Sequence, residues 1–444
     1  MTVPAAAGNK SEEIGDVLAL AADRATRYAQ TVTERRVSPS PEAVAALSQF
    51  REKFPDHSTA ASEVIAMLDE VGSPATVAST GGRYFGFVIG GSLPAVTAAG
   101  WLASAWDQNM ALRVMSPVGA ELEDVVLGWV RELLNLPADC DGGLVTCATA
   151  ANFTALIAAR SALLARVGWN VEDDGLFGAP PVEVIVGDEV HASVQKALSL
   201  GGFGRKRVTI VQTDEQGRMR ADKLPALSER SIVCIQAGNV NSGAFDPAGE
   251  ICERAREAGA WVHVDGAFGL WAGVSPKYAG LTRGFELADS WAADAHKWLN
   301  VSYDSGIVMV GDGMALRRAM TISAAYLHGG SLREPMNHVP EASRRARGIE
   351  VWAALKSLGR DGLRDLIERT CALAARFADR LRAAGYEILN DVVINQAMAL
   401  PKGRPAGARY LGEFVESVKA SGFVAEALKR NGIEGAVVAP LAGT

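Results

Sequence analysis

The chain has 444 residues, which exceeds the length of one ordinary hydrophobic core and predicts two or more lobes. Its composition is that of a globular protein, with 48% hydrophobic and 21% charged residues. The formal net charge of −7 and the sequence pI near 5.6 argue against nucleic acid or an anionic membrane as the main partner.

The sequence also predicts a soluble protein of a reducing compartment, the cytoplasm. We find no uninterrupted apolar run long enough to cross a bilayer, and acidic residues stand where a signal peptide would be basic or apolar. The five cysteines are odd in number, scattered and without a CxxC pair. We therefore expect neither a disulfide framework nor a zinc site.

Residues 1–75 predict a helical N-terminal arm. Apolar residues recur at helical spacing in EEIGDVLALAADRATRYAQTV, and Pro41 suits the first turn of a second helix. A third stretch of the same kind ends at the Gly-Ser-Pro of residues 72–74. Such an arm is too thin to fold alone, so we expect it to pack on the main body or on a second subunit.

Residues 76–325 predict a large α/β domain. The stretch 81–94 is aromatic and broken by glycines, which is typical of a loop over a pocket. A short strand within GGLVT precedes a long helix that begins near Ala150. Short apolar strands then alternate with helices, which predicts a mostly parallel sheet with helices on both faces.

Residues 326–444 predict a smaller α+β domain. Residues 343–385 have the periodicity of one or two long helices. Residues 386–401 favour strands, and residues 412–432 favour another helix.

Two residues carry the strongest chemical signal. Lys297 lies within SWAADAHKWLN, among small and aromatic residues, where desolvation would free its amine to attack a carbonyl; most lysines are simply solvated surface charges. Asp265 ends the apolar run WVHVD, either as a turn former or as a carboxylate at the tip of a buried strand. An amine that forms an imine and a carboxylate that keeps a ring nitrogen protonated are the two groups that pyridoxal phosphate (PLP) requires.

Three further sites have two interpretations each. Within TCATAAN, Thr149 either helps a helix N-terminus bind phosphate or caps that helix. His191 follows a predicted strand, either as a structural histidine or as a ring that stacks on another flat ring. Asn241 lies near another strand end, where loop amides and polar pocket residues look alike.

The motifs HVDGAFG, ADSWAADAHKWLN, GDEVHASVQKAL and GAFDPAGEI together resemble those of the PLP-dependent group II amino-acid decarboxylases. This family includes the aromatic-amino-acid, glutamate, histidine and diaminobutyrate decarboxylases. The resemblance runs from about Arg83 to about Gly362, with several motifs in the same order. It implies an α/β enzyme of PLP fold type I, aspartate-aminotransferase-like, that is normally a homodimer with its active sites at the subunit interface.

The resemblance assigns roles at the cofactor. It implies that Lys297 is the Schiff-base lysine and that His296 is its family-typical neighbour. Asp265 would hold the pyridinium nitrogen, and His191 would stack on the cofactor ring.

Phosphate and substrate contacts follow in the same way. Ala148 and Thr149 stand where the family binds the phosphate, and Asp294 stands where several members have an asparagine near that group. The family's substrate-contact segment corresponds to residues 84–89, with the aromatic positions Tyr84, Phe85 and Phe87.

The sequence departs from the family in two places. The family's mobile loop usually carries a tyrosine that supplies a proton after carbon dioxide leaves, but no tyrosine stands between His328 and Arg347. His338 is the nearest counterpart, since a histidine can act as an acid near neutral pH. The substitution leaves an aldehyde-forming outcome open. Residues 402–444 do not resemble the strand-rich end of the family.

We predict α-decarboxylation of an L-amino acid to an amine. An aminotransferase or carbon–carbon lyase is the alternative among PLP enzymes, although we see no convincing arginine for the α-carboxylate. A non-catalytic scaffold is a further alternative, against which Lys297, Asp265 and His191 argue together. The side chain of the substrate stays open, and no arginine pair marks a dicarboxylate.

Overall fold

The computed structural model describes residues 12–321 and 332–401. Its helices are α1 Ile14–Thr31, α2 Pro41–Ala46, α3 Ala61–Met67, α4 Pro94–Trp106, α5 Pro117–Leu133, α6 Ala148–Arg166, α7 Val171–Asp174, α8 Ala192–Leu200, α9 Ala248–Glu257, α10 Gly313–Met320 and α11 Gly348–Ala383. Its strands are β1 Asp141–Val145, β2 Glu183–Gly187, β3 Thr209–Val211, β4 Ser231–Gln236, β5 Trp261–Asp265, β6 Ser290–Asp294, β7 Gly306–Val310, β8 Tyr386–Ile388 and β9 Ala399–Pro401.

A seven-stranded sheet in the order β1-β7-β6-β5-β4-β2-β3 forms the centre of the large lobe. The five strands from β6 to β3 pair in parallel, and β7 is antiparallel to both of its neighbours. The predicted α/β architecture with a mostly parallel sheet is therefore confirmed. Because the parallel strands all end at one edge, the residues that follow them lie close together there.

Both faces of this sheet are buried. Along β4, Ile232 and Cys234 belong to one apolar cluster, whereas Val233 and Ile235 belong to the other. This alternation is expected of a sheet covered by helices on both sides. Helix α6 is long and apolar enough to cross a membrane by length and composition, but 72% of its apolar window is buried, as in a core helix.

The N-terminal arm is helical as predicted, but its second and third helices are short. None of α1, α2 and α3 has a buried residue. Arg24 joins α1 to the segment after α3 through an ion pair with Asp69 at 2.9 Å. Residues 12–75, the described part of the arm, therefore have no hydrophobic core of their own.

The second lobe contains α11 and the antiparallel pair β8–β9. Gly359, at φ 60°, interrupts α11, so the long helical stretch predicted from the sequence is two helices across a kink. The predicted helix at 412–432 and the rest of the C-terminus lie outside the described residues. The three domain boundaries stay predictions.

Candidate active site

The site forms where β5 and β6 end side by side. In their parallel register, Asp265 pairs with Ala292, and Asp294 ends β6 two residues later. Lys297 follows in the turn after β6. Neighbouring strands lie about 4.8 Å apart, so the predicted amine and carboxylate share one edge of the sheet.

Asp294 is the nearest partner of Lys297. The Nζ atom of Lys297 lies 3.1 Å from Oδ2 of Asp294, and the backbone N–H of Ala148 donates to Oδ1 at 2.6 Å. Burial raises the pKa of the Asp294 carboxyl, and the charges of Lys297 and His296 oppose that rise. A buried carboxylate therefore contacts the Lys297 amine, in addition to the small and aromatic neighbours seen in the sequence.

The His296 ring lies next to the Asp294 carboxylate. Its Nδ1 accepts a hydrogen bond from the backbone N–H of Ser305 at 3.0 Å, and its Nε2 lies 3.6 Å from Oδ1 of Asp294. The ring stacks on Tyr303 with centroids 4.3 Å apart. Burial lowers the pKa of the imidazole, which favours a neutral ring.

Asp265 is buried and accepts three hydrogen bonds. Nδ2 of Asn152 and Oγ of Ser193 both lie 3.3 Å from Oδ2, and the backbone N–H of Ala267 lies 3.3 Å from Oδ1. The carbonyl of Ala267 in turn accepts from the backbone N–H of Asp294 at 2.8 Å, which ties the two strand ends together. Sequence reasoning missed Asn152 and Ser193.

His191 joins the same hydrogen-bond network. It precedes α8 as its N-cap, where Nδ1 accepts from the backbone N–H of Ser193 at 3.2 Å. The Ser193 hydroxyl lies 2.7 Å from this Nδ1 and 3.3 Å from Oδ2 of Asp265. The structure thus places His191 beside Asp265, and its stacking on the cofactor stays a prediction.

The N-terminus of α6 offers an anion site. Cys147 is the N-cap, so Thr149 lies in the first turn and does not cap the helix. Among the described residues, the backbone N–H groups of Thr149 and Ala150 have no hydrogen-bond partner, whereas that of Ala148 donates to Asp294. Free amide groups at a helix N-terminus bind phosphate well. The half-buried strand-to-helix turn therefore fits the predicted phosphate position.

A cavity of about 870 Å³ opens above Lys297. Asn241 and Phe268 also line it, and the Phe268 ring centroid lies 5.9 Å from the Lys297 Nζ. The predicted substrate residues line its wall, namely Tyr84, Phe85 and Phe87. Asp265, His191, Ala148, Thr149 and Asp294 do not line this cavity; Asp294 and Ala267 connect Lys297 to Asp265.

Two arginines of α11 line the same cavity. Arg376 and Arg380 lie on its wall, and Phe377 between them stacks on Phe85 with ring centroids 5.7 Å apart. The sequence analysis found no arginine pair for an acidic substrate, because nothing in the local pattern of a long helix shows which of its arginines face the pocket.

The expectation for His338 was wrong in this structure. Its ring is buried, with Nε2 2.9 Å from Oδ2 of Asp141 and Nδ1 3.0 Å from the carbonyl of Glu334. Asp141 pairs with Val310, at the end of the sheet opposite to Asp294. His338 therefore lies away from Lys297, and both of its ring nitrogens are occupied.

These groups fit pyridoxal phosphate. An amine, a buried carboxylate with fixed donors, and free amides at a helix N-terminus are the donor set that this cofactor needs. Residues 12–321 and 332–401 hold no cluster of three or more histidine, cysteine, aspartate or glutamate side chains suited to a metal ion.

Residues 45–398 match the family model described as the pyridoxal-dependent decarboxylase conserved domain. The chain belongs to this family. Its cofactor is therefore PLP, and the family is one of pyridoxal-dependent decarboxylases, which are lyases. The resemblance inferred from the motifs is confirmed.

The names of two curated relatives refer to aromatic compounds. The L-tyrosine/L-DOPA decarboxylase 2 of Lophophora williamsii is 29% identical over 65% of the chain and 57% of its own length. The 4-hydroxyphenylacetaldehyde synthase of Rhodiola rosea is 27% identical over 82% of the chain and 76% of its own length. The match thus spans little more than half of the first relative.

A solved structure supports the fold. The Oryza sativa TDC, crystallised with PLP and tryptamine, superposes with a TM-score of 0.81 and 23% identity over 89% of this chain and 85% of the other. Since this identity is low, the likeness confirms the fold type I architecture alone.

Proposed function

We propose that this decarboxylase removes the α-carboxylate of an aromatic L-amino acid and releases the amine. The observation that carries the proposal is the position of Lys297 at the floor of an aromatic cavity, beside the Asp265 network. The names of the curated relatives support an aromatic side chain. The cavity volume suits a ligand of that size.

Each residue of the site has a defined part in this reaction. PLP, when bound, supplies a ring that withdraws electrons from the α-carbon as carbon dioxide leaves. The Lys297 amine is the group that would bind its aldehyde carbon. The Asp265 carboxylate, fixed by three donors, would hold a proton on the ring nitrogen. The free amides at the start of α6 would bind the phosphate.

The pocket wall controls orientation and water. Phe85 and Phe87 are 77% and 89% exposed, so they present apolar surface that a bound aromatic side chain would cover. A substrate held there keeps its α-carbon near Lys297 and displaces water from the amine. Geometry then decides which bond to the α-carbon breaks, because the electron-withdrawing ring serves all of them.

A second substrate class has support from Arg376 and Arg380. Both residues line the cavity, and a guanidinium group suits a side-chain carboxylate. An acidic amino acid is therefore the competing substrate.

A product assay with the PLP-loaded protein tests the function. We expect carbon dioxide and amine in equal amounts from aromatic L-amino acids, and no turnover by Lys297→Ala. Keto acid without carbon dioxide would overturn the decarboxylase assignment. Carbon dioxide with aldehyde and ammonia would instead indicate the oxidative outcome.

The same assay separates the two substrate classes. If only acidic amino acids are decarboxylated, and if Arg376→Ala or Arg380→Ala loses that activity, the substrate is acidic and not aromatic. Turnover of aromatic substrates that both arginine variants retain supports the aromatic assignment.

We also propose a homodimer. The arm helices bury no residues, and α4 carries Trp101, Leu102 and Trp106 about half exposed, away from the cavity lining. A second copy of the chain would cover such apolar surface. Sedimentation of the PLP-loaded protein at the mass of one chain would contradict this.

A cytoplasmic location is our proposal for the compartment. The five cysteines form no disulfide, and four of them are buried. Free buried thiols suit a reducing compartment. Fractionation of the producing cell, with the protein recovered outside the cytoplasm, would contradict it.

A further inference from the structure

A closed set of polar side chains lies beneath Asp265. Trp261, His263 and Asp265 alternate along β5, so their side chains share one face of the sheet. Asn152 of α6 packs on that face, and Ser290 of β6 pairs with His263. His263, Asn152 and Ser290 are each 0% exposed, so every polar atom among them needs a partner inside the protein.

Each hydrogen bond in this set can be assigned a donor and an acceptor. The indole N–H of Trp261 can only donate, and it lies 2.9 Å from the Ser290 oxygen. The Ser290 hydroxyl is then available to donate to Nδ1 of His263, also at 2.9 Å. Since the Asn152 amide nitrogen donates to Asp265, its oxygen faces Nε2 of His263, which therefore carries the proton and donates to Oδ1 of Asn152 at 2.9 Å.

These assignments decide what Asn152 offers to the active site. Its carbonyl oxygen accepts from His263, and its amide nitrogen faces Ser193 at 3.2 Å and Asp265 at 3.3 Å. A flipped amide would place an oxygen against the Asp265 carboxylate and leave Nε2 of His263 without an acceptor. Each of those buried mismatches is costly.

We propose that His263 is a positioning residue, which orients Asn152 so that its amide donates to Asp265 and holds that carboxylate for the ring nitrogen of PLP. The proposal rests on the cofactor role of Asp265, not on the identity of the substrate. Complete burial lowers the pKa of the His263 imidazole to about 4, so the ring stays neutral at neutral pH and keeps a single N–H on this path.

Two substitutions at one position test the proposal. His263→Leu removes the donor to Asn152, whereas His263→Gln keeps an N–H near the position of Nε2. We expect the apoprotein with His263→Leu to bind PLP about tenfold more weakly, and we expect His263→Gln to recover most of that loss. Ser275→Ala, which removes a part-buried hydrogen bond from Ser275 to Glu368 of α11, controls for a general loss of stability.

Equal affinity in all variants would overturn the proposal, and so would equal impairment of the Leu and Gln variants. A measurement on the unaltered chain does not depend on how the variants fold. Nitrogen-15 NMR of the histidine-labelled apoprotein should identify His263 as a neutral ring with its proton on Nε2. A proton on Nδ1, or on both nitrogens at pH 7, would contradict it.

These readouts are independent of turnover. PLP binding with the predicted Leu and Gln difference, but without carbon dioxide from any amino acid, would overturn the proposed function and leave the role of His263 standing.

Discussion

Asp141, which is half-buried, and His338, which is buried, form a pair at the edge of the sheet far from Lys297. The two groups lie 2.9 Å apart, and Arg333 lies 3.4 Å from the same carboxylate. Burial would raise the pKa of Asp141, but the hydrogen bond and charge of His338, together with Arg333, lower it to about 2. We therefore expect this pair to stabilise the fold.

The pair has a measurable pH dependence. Because the folded pKa of Asp141 lies below its ordinary value of 3.8, its contribution is full above pH 4 and is lost as the pH falls towards 2. We expect Asp141→Asn to lower the apparent free energy of unfolding by about 2 kcal/mol at pH 7 and by less below pH 4. Denaturant titrations at several pH values measure it.

The exposed neighbour Asp139, substituted as Asp139→Asn, is the matched control and should change little. If the loss in free energy of unfolding caused by Asp141→Asn is the same at every pH, the interpretation is contradicted. Loss of PLP binding in Asp141→Asn would indicate that Asp141 and His338 have a role in the active site.

Residues of the site differ in how well the sequence predicts them. Asp265 and Lys297 could be identified because each is an ionisable residue that follows or interrupts an apolar run, in a spacing that PLP chemistry explains. Asn152 and Ser193 could not, since their contact with Asp265 depends on how α6 and α8 pack on the sheet. An asparagine among the alanines and large apolar residues of the first half of α6 was the available signal, and the structure shows that it is fully buried.

The acid role predicted for His338 was wrong for a related reason. A short polar segment between helices can lie against several surfaces, and only the tertiary structure shows that Asp141 receives this ring. The local sequence has no feature that distinguishes a free acid from a satisfied buried histidine.

At the scale of elements, the glycine-rich loop before α4 lies tightly against the turn that holds Lys297. A Cβ atom on Gly90 would lie 2.0 Å from the carbonyl oxygen of Lys297 and 2.7 Å from that of His296. Backbone atoms cannot move out of the way as the end of a flexible side chain can. Glycine at this position therefore sets the distance between the loop and the reactive amine.

We expect Gly90→Ala to lower kcat/KM by about 100-fold, because the clash displaces either the loop or Lys297. Gly82→Ala in the same loop meets no atom within 4 Å and should change kcat/KM by no more than about twofold. Steady-state kinetics with matched PLP loading compare the two variants. Equal kcat/KM values for Gly90→Ala and Gly82→Ala would contradict the close contact between Gly90 and the Lys297 turn.

Element types were easier to predict than their ends. The strands β2, β4 and β5 are apolar and rich in valine and isoleucine, so their pattern was clear. Strand β6, SWAAD, consists mainly of small residues with weak strand preference, and only its pairing with β5 and β7 fixes it as a strand. The sequence predicts one or two helices over residues 343–385, and only the tertiary structure shows the break of α11 at Gly359.

At the scale of the molecule, the two lobes contribute different parts of one site. The large lobe supplies Lys297, the Asp265 network and the start of α6, and the cavity wall combines the loop of residues 84–89 with α11 of the second lobe. The side chains predicted to hold the cofactor thus lie at or near strand ends, while the predicted substrate wall is formed by a loop and a separate helix. This division lets the substrate class change without altering the cofactor groups.

The attachment of the cofactor to Lys297 is the claim on which this account depends most. The direct measurement is borohydride reduction of the PLP-loaded protein, followed by proteolysis and mass spectrometry of the labelled peptide. We expect one permanent adduct, on the Nζ of Lys297, and only weak, non-covalent PLP binding in Lys297→Ala. An adduct on another lysine, or one that survives in Lys297→Ala, would contradict the account.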